Sequence, residues 1–136
     1  MGRYSKGANA ERELLGLFYN AGFAVVRVAG SGASKYPEPD CLAFRKDKKY
    51  AFECKARSGK YLNIPKEQLE SFVEWAKQAD LQAYIAWKIP RKGWLFIKPE
   101  HLVPRKKGYA IDINRAIAIG KSINQLVEIK NKGVKK

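Results

Sequence analysis

A chain of 136 residues is long enough to bury a core without disulfides or a structural metal, and one domain over residues 1–136 is expected. Apolar residues make up 46%, yet no run approaches the roughly 18 consecutive apolar residues of a membrane span, and the basic N-terminus leads into no apolar signal segment, so a soluble cytoplasmic protein is expected. The 27 Lys and Arg against 13 Asp and Glu give +14, which points either to a polyanionic partner, nucleic acid first, or to a solvated surface with charge networks suited to heat. The basic residues form no amphipathic basic helix, which argues against a membrane surface.

Leu14, Leu15 and Phe18 share one stripe and predict a first helix over residues 9–21, ended by Gly22. Glu11 precedes them by three, four and seven positions, so the helix sets a carboxylate on its apolar side. Two readings are open: a buried acid that needs a partner or a metal, or a wet acid in the first helical turn. Residues 23–28 predict a strand, and residues 29–39, with two Gly, two Ser and two Pro, a mobile loop.

Residues 41–44 and 50–55 predict a hairpin around the polar link 45–49, with no Asn-Gly turn to pin its register. An even link centred at Asp47-Lys48 would set Asp40 opposite Lys55, and Cys41 opposite Cys54 on the reverse, core-facing side. A polar link over 56–60 leads to a short extended piece over 61–64. Pro65 then opens a helix to about residue 79 with Leu69, Phe72, Val73 and Ala76 on its apolar face. Residues 81–89 and 94–97 predict a second hairpin. Beyond Pro99 the pattern weakens to short helical pieces at 116–119 and 123–129, with a frayed end over 130–136. Cys41 and Cys54 lack CxxC spacing and are expected to be free thiols, and His101, the only histidine, has no companion ligand in sequence.

The chemistry concentrates in Pro39-Asp40 and Glu53-Cys54-Lys55. Glu53 and Lys55 share a strand face, Cys54 takes the other, and an even register brings Asp40 to the side of Glu53 and Lys55. Two close carboxylates remain ionised only around a cation, and a hard divalent ion such as Mg²⁺ or Mn²⁺ suits oxygen ligands that leave water sites open. The plainer alternative is a turn after Pro39 and a solvated strand face with an ordinary ion pair. Against it, Leu42, Ala43 and Phe44 on one strand and Tyr50, Ala51 and Phe52 on the other are core residues.

Taken together, Lys6-Gly7, Glu11-Arg12-Glu13-Leu14, Gly22-Phe23-Ala24-Val25-Val26-Arg27, Gly30-Ser31-Gly32, Pro39-Asp40, Glu53-Cys54-Lys55 and Gln68 resemble, in order and spacing, the archaeal Holliday junction resolvases of the PD-(D/E)xK nuclease superfamily. The resemblance runs through Lys88-Ile89-Pro90-Arg91 and Trp94 over about residues 6–103, and is loose after Pro104. It implies an α/β fold, a central mixed sheet flanked by helices with a restriction-endonuclease-like core. It implies further a Mg²⁺-dependent homodimeric endonuclease, with Mn²⁺ able to substitute, that nicks four-way junction DNA in recombination and repair. By position it makes Glu11, Asp40 and Glu53 the acidic, metal-binding residues, Lys55 the catalytic lysine, Ser31 the serine of the mobile loop and Gln68 a helix-borne neighbour of the site. Two rivals are a nuclease acting on another form of DNA and a basic DNA-packaging protein without catalysis. The second leaves Glu11 and the acid pair without purpose.

Overall fold

The computed structural model describes residues 3–28 and 35–128; Ser31 and the expected frayed end over 130–136 lie outside them. Helix α1, Arg3–Asn20, begins earlier than periodicity suggests and leads into β1, Ala24–Arg27. It ends as Gly22 requires. That glycine sits at φ 93°, with Gly22 N–H donating to Tyr19 O and Phe23 N–H to Phe18 O, both at 3.0 Å. Phe18 and Phe23 then meet edge to face at 5.1 Å, the hydrophobic contact that accompanies such a helix end.

Strands β2 (Cys41–Arg45) and β3 (Lys48–Ala56) form the expected hairpin. Next come β4 (Tyr61–Pro65), α2 (Lys66–Ala79), and the hairpin of β5 (Gln82–Ile89) and β6 (Gly93–Ile97). A short 3₁₀ turn at Pro99–His101 precedes β7 (Val103–Arg105), β8 (Gly108–Asp112), α3 (Ile113–Ile119) and α4 (Ile123–Val127). The central sheet has the order β1-β2-β3-β5-β6, with β3 and β5 parallel and the other neighbours antiparallel. A second, antiparallel sheet has the order β4-β8-β7. The expected α/β fold with a central mixed sheet flanked by helices is therefore the fold observed. The second sheet is new: β7 and β8 were not visible as strands in the sequence.

Alternation along β3 divides the core. Tyr50 and Phe52 join Leu14, Leu15 and Phe18 of α1, whereas Ala51 joins Leu69, Phe72 and Ala76 of α2 and Leu62 and Ile64 of β4. The strand is thus covered on both faces, which positions 53 and 55 inherit.

The β2–β3 register differs from expectation by two residues. Arg45 pairs with Lys48 around a two-residue turn, and Cys41 lies opposite Phe52 rather than Cys54. Arg45 Nε donates to Asp47 Oδ1 across the turn at 2.7 Å, a local pairing that favours the tighter link. Because the error is even, every side chain keeps its face. Cys41 and Cys54 become diagonal neighbours with sulfurs 3.9 Å apart, both free thiols.

Two glycines should respond oppositely to alanine. A Cβ at Gly108 would collide with the backbone oxygen of Ile64, whereas one at Gly16, within α1, meets nothing within 4 Å. Gly108→Ala is expected to lower unfolding free energy by about 1–3 kcal/mol, and Gly16→Ala to raise it by about 0.5–1 kcal/mol. Denaturant midpoints at constant slope check both.

Candidate active site

At the end of the β2–β3 ladder, Asp40 is fastened to β3 twice. Its backbone N–H donates to Phe52 O at 3.0 Å, and its carboxylate Oδ2 accepts the Cys54 N–H at 2.9 Å. The observed register brings Asp40 level with Glu53, not with Lys55 as the sequence suggested. The convergence of the three groups survives the correction because their common face depends on parity alone.

Glu53 is 5% exposed and Lys55 9%, the buried charged residues of the described chain. They lie on the α2 side of the sheet, where the parallel neighbour β5 sets Ile85 beside Glu53 and Trp87 beside Lys55. Between them reaches Gln68, from the first turn of α2. Gln68 Nε2 donates to Glu53 Oε2 at 2.8 Å, and Lys55 Nζ donates to Gln68 Oε1 at 3.1 Å. A carboxamide carries a donor and an acceptor, so one side chain satisfies an acid and a cation together.

Electrostatics mark the site as strained. Burial, reinforced by the Asp40 charge, pushes the Glu53 carboxyl up to about 8, against the opposing pull of Lys55 and Gln68. Burial lowers the Lys55 ammonium, helped by the nearby Arg57 charge and opposed by Glu53. Glu11 stands in the middle of α1, so the wet first-turn reading does not apply. Its Oε1 accepts from Arg27 Nε of β1 at 2.8 Å; burial and Asp40 raise its carboxyl while Arg27 lowers it. Three of the predicted acids therefore feel one another. Ser31 lies outside the described residues.

Among the described residues no three His, Cys, Asp or Glu side chains form a ready cage for a metal ion. The donors present still fit a hydrated divalent ion, since Mg²⁺ takes one or two carboxylates and leaves its other positions to water and phosphate oxygen. The raised Glu53 carboxyl, facing Asp40, is a site that a cation would relieve. The open space at these groups is a cleft of about 510 Å³ lined by Tyr36, Glu38, Asp40, Glu53, Glu67 and Gln68.

Sequence reasoning placed Gln68 near the site but missed its bridging role, and it missed Arg27 as the partner of Glu11. For Gln68 a signal existed: it precedes Phe72 by four residues and so lies on the apolar stripe of α2, the same argument that singled out Glu11. Glu38 and Glu67 carried no comparable mark.

Comparison with known families matches residues 2–134 to the family described as archaeal Holliday junction resolvase (hjc). The chain belongs to the Hjc family. Its relatives include the crossover junction endodeoxyribonuclease Hjc of Archaeoglobus fulgidus, 40% identical over 108 residues, 79% of either chain. That of Methanocaldococcus jannaschii is 38% identical over 118 residues, 86% of this chain and 84% of the relative. The solved structure of A. fulgidus Hjc, a Holliday junction resolvase, aligns with a TM-score of 0.83 at 32% identity, covering 93% of this chain and 98% of that one. The Hjc likeness makes the central mixed sheet and its helices a restriction-endonuclease-like fold.

The raised Glu53 carboxyl has a consequence for stability. Its pKa in the folded state is about 8 against 4.5 unperturbed, so folding favours the protonated form. The stability this contributes is full below about pH 4.5 and is lost as pH rises through 8. In chelator, Glu53→Gln is expected to be more stable than wild type at pH 8.5 by about 1–3 kcal/mol, with little difference at pH 5. Thermal unfolding of both proteins at the two pH values checks this.

Proposed function

We propose that this chain is a Mg²⁺-dependent endodeoxyribonuclease that resolves four-way DNA junctions by paired nicks in recombination and repair, acting as a homodimer in the cytoplasm beside the nucleoid. The observation that carries this reading is the cluster in which Gln68 joins a buried Glu53 to a buried Lys55, with Asp40 fixed beside them. Such a cluster is costly as a structural device and suits phosphodiester hydrolysis. The relatives' shared description as crossover junction endodeoxyribonucleases supports the substrate. That no helix among the described residues is long and apolar enough to cross a membrane is consistent with the location.

Asp40 and Glu53 would hold the metal, with Glu11, which feels the Asp40 charge, as the third acid. When bound, Mg²⁺, or Mn²⁺ in its place, supplies positive charge that polarises the scissile phosphate and offsets charge on the leaving oxygen. Lys55 directs its ammonium to the charge that develops on the phosphoryl oxygens. Gln68 holds Lys55 and Glu53 in place before substrate arrives, so little reorganisation is left for the reaction itself. Ser31, from the segment between β1 and β2, would contribute its hydroxyl at the scissile region. Binding of phosphates by Lys and Arg supplies affinity without reading sequence, and the branched shape of the junction supplies selectivity.

Two opposed strands must be cut, and a two-fold pair of chains meets that need. A surface that pairing could cover is the largely apolar hollow of about 620 Å³ between α2 and the start of β5, lined by Leu69, Val73, Ala76, Leu81 and Ala83 and rimmed by Glu70, Glu74 and Lys77. Val73 is 38% exposed there. Light scattering is expected to give twice the mass of one chain, and a concentration-independent monomer would contradict the homodimer.

The deciding assay compares a synthetic four-way junction with linear duplexes of the same sequence, with and without Mg²⁺. Paired nicks confined to the junction and abolished by chelator are expected. Equal cutting of linear duplex would favour a nuclease of other specificity, and no cutting at all a packaging protein. Asp40→Asn and Glu53→Gln should each reduce cleavage by on the order of 10³ or more while junction binding stays equal or tightens, since a negative charge beside phosphate is removed. Ser31→Ala should slow cutting more than binding.

A further inference from the structure

Gln68 borders two clefts of opposite character. On one side lies the mainly acidic cleft of Glu38, Asp40, Glu53 and Glu67, with Lys35 as its one lining cation. On the other lies a cleft of about 480 Å³ whose charged lining residues are Lys55, Arg57, Arg105 and Lys107, without an acid. The ion pairs among the described residues engage Arg27, Arg45, Lys48 and Lys88, none of which is in this second cleft. Its outer cations Arg57, Arg105 and Lys107 are exposed. They are gathered from two distant parts of the chain, and no ion pair among the described residues engages them.

The backbone that carries them is firmly placed. Arg57 follows β3, two residues after Lys55; its N–H donates to Lys88 O at 3.2 Å, and its carbonyl accepts Trp87 Nε1–H at 3.0 Å. Arg105 ends β7 and Lys107 lies in the β7–β8 turn, which Arg105 and Gly108 close as a pair. Gly108 in turn lies opposite Pro65, so close that no side chain fits there, and Tyr109 Oη donates to Glu70 Oε2 of α2 at 2.7 Å. The second sheet therefore fixes a cationic turn against the start of α2, a few residues from the side chain that bridges Glu53 and Lys55.

We propose that this cleft is the track of the cut strand: the scissile phosphate lies at Gln68, on the boundary between the clefts, and the next one or two phosphates on one side are held by Arg57, Arg105 and Lys107. The inference rests on the reading of the chain as a junction nuclease and adds where the strand lies. A single strand carries one charge about every 3.4 Å of duplex axis, so phosphates next to the cut reach the basic cleft when the scissile one reaches the acids. The β7–β8 hairpin thereby becomes a substrate-binding element. It sets the strand's direction across the metal site.

The test pairs charge removal on the protein with charge removal on the DNA. After the wild-type cut is mapped, a single methylphosphonate is placed one or two positions to either side of it. In wild type, neutralising the phosphate held by the cleft should weaken junction binding about tenfold, the usual size of a missing charge-assisted hydrogen bond. In the Arg105→Ala/Lys107→Ala double variant the same methylphosphonate should cost less than about twofold, because the cations that held that phosphate are already absent. The salt slope of junction binding should also fall by about one for each phosphate the variant no longer holds. Lys46→Ala/Lys49→Ala removes the same charge at the opposite end of β2 and β3 and should leave the tenfold penalty intact. Arg57→Ala, tested alone, should reduce it. An equal methylphosphonate penalty in wild type and the Arg105/Lys107 variant at every position would overturn the track. Failure of wild type to cut the unmodified junction would instead overturn the reading beneath it.

Discussion

An acid and an ammonium group buried two residues apart on the central strand of a sheet impose conditions on everything around them. Each group loses water that its neighbour alone does not replace. Here Gln68 supplies the missing hydrogen bonds to both, donating to Glu53 and accepting from Lys55. For that amide to arrive, α2 must begin where it does, immediately after Pro65, and must lie on the face of β3 opposite α1. Packing of Leu69, Phe72 and Ala76 holds the helix there. The apolar core thus fixes a polar cluster in which burial, reinforced by the Asp40 charge, keeps the Glu53 carboxyl high.

That residual frustration fits a functional site better than a device for stability. A stability device would give Glu53 its partners alone; this fold adds a second carboxylate beside it and fastens that group by a hydrogen bond from the Cys54 N–H of β3. Glu11 repeats the pattern at lower cost, drawing on Arg27 for partial compensation. Around this acidic centre the chain carries net +14, so the site is a local negative well in a positive surface. A negative well in a positive surface suits the proposed reaction, in which a divalent cation and a polyanion would meet at adjacent places.

Much of this was legible in the sequence, for identifiable reasons. Alternation along residues 50–55 depends on the two-residue period of a strand and needs no partner, so the faces of Phe52, Glu53, Cys54 and Lys55 were assigned correctly. The partner of each depends on the turn. Arg45, Lys46, Asp47 and Lys48 include no turn signal strong enough to fix its length, so the expected register was two residues off, and Asp40 came opposite Lys55 instead of Glu53. The second sheet was invisible for a different reason. Val103, Pro104 and Arg105 are all exposed and show no alternation, and β8 pairs with β4 from far along the chain. Gln68 was recognised by position only, because its role requires knowing which strand its helix covers.

The central claim is that Asp40 and Glu53 together form the divalent-metal site beside Lys55. Isothermal titration of Mg²⁺ or Mn²⁺ into the DNA-free protein tests it without reference to cleavage or to junction binding. The account predicts saturable binding by wild type that is abolished, or weakened by on the order of tenfold or more, in both Asp40→Asn and Glu53→Gln, with no such change in the Lys46→Ala/Lys49→Ala control. Metal binding of undiminished affinity in either acid variant would contradict it.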